Sequence, residues 1–214
     1  MTPDNRYDVS ELPEAQFEPG SNEQVLRNRL GITSKQAMDD AEAEALERAT
    51  DRFIATLNAT HRFTAADICE IHRVWLGDIY EWAGRYRQVN VSKEEFPFAP
   101  AARIATLMTE FEQGPLQRDT PCNFSGKGQV ARALAEVHTE LVLIHPFRDG
   151  NGRVARLLSS LMALQAGLPL LDFRAIVGEK REAYFSAVRA GLERNYEPMT
   201  RIFAEIIERS EAAS

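Results

Sequence analysis

Twelve consecutive residues, His145-Pro146-Phe147-Arg148-Asp149-Gly150-Asn151-Gly152-Arg153-Val154-Ala155-Arg156, bring together side chains able to handle a nucleotide phosphate. Pro146 biases His145 away from the helical region, so a preceding helix should stop there. Gly150 and Gly152 let the chain turn with its amides bare, and a helix starting near Gly152 presents its N-terminus to that turn. Free N–H groups and the positive end of the helix dipole make an anion site. Arg153 and Arg156, three apart, stand on neighbouring faces of the first turn. Two guanidiniums beside an N–H nest suit a polyphosphate. Asp149 is a hard carboxylate, the ligand type that Mg²⁺ prefers alongside phosphate oxygens. His145 can take a proton from an attacking hydroxyl near neutral pH. The chemistry described is transfer of part of a nucleotide to a hydroxyl. Loop amides, the arginine pair and Mg²⁺ would stabilise the developing negative charge.

Each residue taken alone has a plainer reading. A single His at a helix end is often a cap or a satisfied core side chain, paired arginines are commonly a solvated face, and Asp149-Gly150 is ordinary turn chemistry. Their concurrence in one short segment outweighs those readings. Gly150, Gly152 and Ala155 also satisfy G-x-G-x-x-A, with Asp172 where a dinucleotide fold places its ribose acid. That fingerprint needs a preceding strand and a parallel sheet, whereas the residues before His145 have helical spacing. Ser125-Gly126-Lys127-Gly128 lacks the P-loop spacing. His61, His72, His138 and His145 form no HExxH, and His138 reads as a helix-face residue.

The elements that must hold this segment are mostly helical. Residues 1–22, with Pro3, Pro13, Pro19 and Gly20, read as an irregular arm. Gly31-Ile32-Thr33-Ser34 offers an N-cap for a long acid-studded helix to about Leu57, and Thr64-Ala65-Ala66-Asp67 resembles a capping box. Ile68, Ile71, Trp75, Ile79 and Trp82 keep helical spacing up to Gly84. Val89-Asn90-Val91 and Phe96-Pro97-Phe98 flank the polar Ser92–Glu95 and suggest a hairpin, with Pro97 confined to an edge. Helical spacing returns at about 100–114 and most clearly at 127–144 through Val130, Leu134, Val137, Leu141 and Ile144. Three more helices are expected: one from near Gly152, one at about 178–193 with Tyr184, Phe185, Val188 and Leu192 inward, and one at about 198–210 opened by Pro198.

Composition bounds the rest. With 25 Lys+Arg against 32 Asp+Glu the net charge is −7, which argues against a protein devoted to the nucleic-acid backbone, since that affinity rests on cations. No uncharged run reaches the ~20 residues of a membrane-spanning helix. The N-terminus lacks the basic start and apolar core of a secretory signal. Cys69 and Cys122 form no CxxC pair and read as two buried thiols in a reducing compartment, so a cytoplasmic setting is expected.

HPFRDGNGRVAR resembles the Fic-domain signature HPFx(D/E)GNGRxxR at every defined position. Residues 25–32 (VLRNRLGI) and 79–87 (IYEWAGRYR) are similar to segments preceding the core and the flap in bacterial members. The resemblance implies a mainly α Fic fold, a helical bundle with a small β-hairpin flap. It places one Fic domain at 23–214, with its core at about 64–195 and helices packed at either end. It implies AMP transfer from ATP to a Ser, Thr or Tyr hydroxyl of a target protein. In that scheme His145 is the base and Asp149 the Mg²⁺ ligand. Asn151 and the amides around Gly150 and Gly152 hold the α-phosphate region, and Arg153 and Arg156 hold the outer phosphates. Phe147 and Arg148 fall among the ATP-binding positions, and Tyr184 would line the adenine pocket. Val89, Asn90, Val91, Phe96 and Phe98 would form the flap that clamps a target segment by strand-like pairing.

Gly152 stands where Doc-type kinases carry Lys, which favours nucleotidyl over phosphoryl transfer. Gly150 stands where the phosphocholine-transferring variant has Ala. The resemblance also brings a regulatory motif, (S/T)xxxE(G/N), whose Glu pairs with the second motif arginine. Only Ser10 with Glu14 and Thr106 with Glu110 have the spacing, followed by Ala15 and Phe111, so neither completes it. Inhibition in trans, by a small antitoxin whose Glu reaches Arg156, is the resulting expectation. Toxin-type relatives suggest gyrase and topoisomerase IV subunits as targets. A kinase at the same site, or a non-catalytic interaction protein keeping the pocket, are the alternatives.

Overall fold

The computed structural model describes residues 11–93 and 95–213. The first ten residues of the expected arm, Ser10 included, and Glu94 at the hairpin tip lie outside them. From Glu11 onward the arm is irregular, with a 3₁₀ turn at Pro13–Ala15 and a single bridge between Phe17 and Leu26. Helix α1 (Lys35–Thr56) starts where Ser34 Oγ accepts the Ala37 N–H. Helix α2 (Ala65–Leu76) starts at the full Thr64–Asp67 capping box, and Glu112 Oε2 accepts the Ala65 N–H at 2.7 Å. Three orphan donors of that first turn are therefore satisfied from two directions.

Helix α2 ends at Leu76, short of the expected Gly84. Tertiary bonds override the periodicity there. Tyr80 turns to donate its hydroxyl to Glu42 of α1 and stacks on Trp82 at 4.5 Å, and Arg29 N–H is bound by the Ile79 carbonyl. Gly84, at φ +79°, gives its N–H to His72 Nδ1 at 2.7 Å. A Cβ at that position would stand 2.7 Å from Arg73 Cβ.

The hairpin is smaller than expected, with β1 (Ser92–Lys93) antiparallel to β2 (Phe96–Pro97) and Ser92 opposite Pro97. Val89 is buried and Asn90 Oδ1 accepts the Ala101 N–H at 2.9 Å, so those residues belong to its root instead. Helix α3 (Ile104–Phe111) runs through a π turn at Glu112–Leu116, which accommodates Pro115, into the short α4 (Gln117–Asp119).

Helix α5 (Lys127–Ile144) is central. Its stripe of Val130, Leu134, Val137, Leu141 and Ile144 is buried as the spacing predicts, against α3, α6 (Asn151–Gln165), α7 (Glu179–Ala190) and α8 (Glu197–Ala212). Helix α1 covers α2 and α6. Leu192 is the exception to the expected inward set. The end of α7 tightens into a 3₁₀ turn at Gly191–Glu193, the 3.6-residue phase is lost, and Leu192 is 64% exposed. Among the described residues no helix is long and apolar enough to cross a membrane.

Candidate active site

The imidazole sits where α5 stops. His145 caps that helix in the left-handed region, φ 53° and ψ 58°, with its N–H bound to the Leu141 carbonyl. His is among the few non-glycine residues enriched there, and such a conformation persists only when its surroundings enforce it. Nδ1 lies 3.1 Å from the Val142 carbonyl oxygen. A carbonyl only accepts, so Nδ1 carries the proton in the neutral ring and Nε2 keeps a lone pair. Phe98 of the hairpin lies flat on the ring, 3.5 Å between centroids. Burial pushes the His145 pKa down to about 4, so it stands ready as a base at neutral pH.

What enforces this geometry is Arg87, to which the sequence reading gave no role. Its side chain is fully buried, and it donates to three carbonyls: His145 from Nε at 2.7 Å, Val89 from Nη1 at 2.6 Å and Ala99 from Nη2 at 2.5 Å. Its own N–H binds the Pro146 carbonyl at 2.9 Å. Both feet of the hairpin and the backbone of the base thus share one guanidinium.

The turn itself is held from beneath. Asn151 is buried, with Oδ1 accepting the Phe147 N–H at 2.8 Å and Nδ2 donating to the Phe147 carbonyl at 2.9 Å. Its amide is spent on the loop, so it positions the turn, and the open anion-type donors at the start of α6 are the main-chain N–H groups of Asn151 and Gly152. Phe147 is a further correction. It is completely buried and stacks on His72 at 3.9 Å, making it floor packing with no reach to a nucleotide. His72 donates from Nε2 to the Asp149 carbonyl at 3.1 Å while Nδ1 accepts Gly84 N–H. Burial lowers its pKa to about 4, which keeps it in this neutral tautomer. Gly150 has φ +80°, and a Cβ there would meet Trp75 Cζ3 at 2.6 Å.

The two arginines differ. Arg153 donates Nη1 to Glu42 at 2.6 Å and lies over the Trp75 ring at 4.5 Å. Arg156 is exposed and forms no ion pair among the described residues. It lines a cavity of about 240 Å³ together with His145, Gly152, Phe96, Phe98, Lys93, Ile176, Tyr184 and Phe185. Lys93 Nζ stands 3.8 Å above the Phe185 ring and brings the hairpin against α7. Tyr184 contributes its ring to this wall. Its hydroxyl turns inward to His138 Nε2 at 2.7 Å, and His138 Nδ1 meets Ser159 Oγ at 3.1 Å. His138 is therefore a link in a buried chain that fixes Tyr184, and burial lowers its pKa to about 3.

Four expected residues fall elsewhere. Arg148 gives its Nε–H to the Glu14 carbonyl at 2.8 Å, and it lines a separate recess with Ala15, Val89, Asn90 and Val91. Its distance from the nucleotide wall follows from the turn: Asp149 and Gly150 reverse the chain after it, so neighbours in sequence face opposite sides. Val89, Asn90 and Val91 share that outer side, leaving Phe96 and Phe98 as the expected hairpin residues on the cavity.

Asp149 is exposed, with Oδ1 accepting the Gly150 N–H at 2.5 Å and standing 3.5 Å from Arg153 Nη2. Among the described residues no three His, Cys, Asp or Glu side chains converge to hold a metal. One hard carboxylate beside an anion site fits Mg²⁺ of the kind that is bound mostly by substrate phosphates and water. Asp149 is the residue that would hold it.

This turn, with its histidine, glycines and arginine pair at the junction of two helices, lies inside residues 62–163, which match the Fic/DOC family. The chain carries a Fic/DOC family domain. A protein adenylyltransferase Fic of Nematostella vectensis is 31% identical over 193 residues, covering 87% of this chain and 42% of the relative. The "Probable protein adenylyltransferase Fic" of Escherichia coli (strain K12) is 27% identical over 185 residues, covering 86% of this chain and 88% of the relative. The chain thus spans less than half the length of the Nematostella relative it matches. Among solved structures, the N-terminal Fic domain of a VirB-translocated Bep effector from Bartonella quintana with bound ADP aligns at a TM-score of 0.68 and 28% identity. That alignment covers 85% of this chain and 89% of the other. The Fic fold expected from the motif is the fold observed. The Fic domain's supports, Arg87, His72, Trp75 and Glu42, are what the sequence reading missed.

Proposed function

We infer that this chain transfers AMP from ATP to a Ser, Thr or Tyr hydroxyl of a target protein and releases pyrophosphate. One observation carries the reading: a neutral His145, with its Nδ1 proton engaged by Val142, faces a cavity that also holds Gly152 and Arg156 at the N-terminus of α6. The names of the relatives support the same activity.

In this reading His145 Nε2 takes the proton of the target hydroxyl as its oxygen forms a bond to the α-phosphorus. The bond from that phosphorus to the bridging oxygen breaks, and pyrophosphate leaves with the electron pair. The first amides of α6 and the guanidiniums of Arg153 and Arg156 face the charge that develops. Mg²⁺ at Asp149 would add neutralisation of the phosphate oxygens when bound. Phe96, Phe98 and Tyr184 give the cavity apolar walls for a base, and the β1 edge offers main-chain groups to a target strand. Gly152 supports nucleotidyl transfer over the phosphoryl transfer of Doc-type kinases.

The unpaired Arg156 favours a second element, control in trans by a small partner that brings a Glu to it. Glu14 is buried and accepts the Gln88 N–H at 2.6 Å, and so is engaged elsewhere. A groove flanking Arg156, lined by Leu46, Leu157 and Leu170, gives such a partner a place to lie. Gyrase and topoisomerase IV subunits are the first targets to assay, on the resemblance to toxin-type members alone.

Incubation with Mg²⁺ and ATP labelled at the α or the γ phosphorus, in lysate, tests the reading. Label transferred to protein from the α position supports it, and label from γ alone makes the enzyme a kinase. His145→Ala is expected to abolish labelling while ATP binding is kept. Labelling by that variant at the wild-type rate overturns the base assignment. An isolated chain that is silent, and is awakened by one Glu→Gly change within it, overturns control in trans.

A further inference from the structure

Helix α1 lies outside the family-matched residues, yet it sends a carboxylate into the site. Glu42 is 4% exposed. Its Oε1 accepts the Tyr80 hydroxyl at 2.6 Å, its Oε2 accepts Arg153 Nη1 at 2.6 Å, and its main-chain carbonyl accepts Trp75 Nε1 at 2.9 Å. The indole so fixed is the surface on which Arg153 lies at 4.5 Å and against which Gly150 closes. Acid, indole, guanidinium and phosphate turn form one contiguous stack.

A buried ion pair gains little over well-packed apolar residues, because desolvation offsets the attraction. Its effect here is directional. A free arginine side chain samples many rotamers, worth roughly 2 kcal/mol of entropy. Glu42 uses only Nη1, and Nη2 makes a long 3.5 Å contact to Asp149 Oδ1, so the remaining N–H groups stay available beside Asp149. An inhibitory acid would have to leave before phosphate could bind. Glu42 is tied by Tyr80 and through its own backbone by Trp75, so it stays while phosphate binds.

We propose that Glu42 is a positioning residue, which holds Arg153 flat on Trp75 with its unused N–H groups presented to the polyphosphate before nucleotide arrives. This rests on the reading that the site binds ATP. It makes α1 part of the active site, and it assigns the two motif arginines different characters: Arg153 preset, Arg156 free to close on its ligand.

The test reads nucleotide affinity by calorimetry, with adenosine as a probe lacking phosphate. Glu42→Gln, nearly isosteric, is expected to weaken ATP about tenfold, the loss of one charge-assisted hydrogen bond, and to leave adenosine binding unchanged. Tyr80→Phe, which frees one carboxylate oxygen without touching the Arg153 bond, is expected to weaken ATP about threefold and serves if Glu42→Gln fails to fold. In an Arg153→Met background, Glu42→Gln is expected to change ATP affinity less than twofold and to raise the melting temperature, since it removes a buried acid left unpaired. Unchanged or tighter ATP binding by Glu42→Gln overturns the proposal. So does an equal loss in both backgrounds, the mark of general structural damage. Affinity is read without turnover, so a wild type that binds ATP but labels no protein defeats the transfer reading and not this one.

Discussion

Acidification from pH 7 to pH 5 should destabilise this protein before it silences the base. His72, His138 and His145 are buried with pKa values pushed down to about 4, 3 and 4, in each case chiefly by loss of hydration. Unfolded, each returns to about 6.5. Between those values the unfolded chain binds more protons than the folded one, so stability falls as pH falls through 6.5 and levels off near 4. Linkage gives about 2 kcal/mol per histidine between pH 7 and pH 5, or about 6 kcal/mol for the three. Glu140, raised by burial, works in the opposite sense, so this is an upper figure. It is still a large fraction of a typical domain's 5–15 kcal/mol. Urea unfolding at half-unit pH steps measures it as a falling midpoint at constant slope. His138→Gln, which cannot ionise, is expected to remove about a third of the dependence. Equal stability at pH 7 and pH 5 would refute the burial argument for all three rings. Activity normalised to the folded fraction is expected to hold to about pH 5, because His145 stays unprotonated until about pH 4.

Two substitutions test the scaffold of the turn and of the hairpin. Gly150→Ala must place a side chain at φ +80° and 2.6 Å from Trp75, which the Glu42 carbonyl holds fixed; a loss of about 2–5 kcal/mol in urea unfolding is expected from the left-handed backbone and overpacking together. Arg87→Met leaves three carbonyls unserved, Val89 buried and His145 and Ala99 half-buried, and a loss of about 3 kcal/mol is expected. At temperatures where that variant stays folded, its KM for target protein is expected to rise more than its affinity for ATP falls.

The candidate site was legible because it is contiguous. His145 through Arg156 carries its imidazole, carboxylate, glycines and arginines in one short run, and the helices announce themselves by apolar spacing and by cap signals at residues 31–34 and at Thr64. The support was not legible because it is assembled across the chain. Glu42, His72 and Arg87 meet the turn from three different segments, and nothing local distinguishes a buried Glu in an acid-rich helix from its exposed neighbours. The same cause explains the overrun of α2: spacing from Ile68 to Trp82 stays helical, but Tyr80 and Gly84 answer to Glu42 and His72. Arg148 shows the converse. It sits inside the motif, yet a reversal of direction at Asp149–Gly150 sends it to Glu14.

The hairpin is gripped at its root by a side chain that recognises only main-chain oxygens. Every residue type supplies that oxygen, so positions 89 and 99 are held whatever side chains they carry, and the two-residue strands beyond them are free of the anchorage. Side-chain changes at the tip therefore leave the grip on the root, and on the His145 main chain, intact. One guanidinium is the joint between the hairpin and the turn that carries the imidazole.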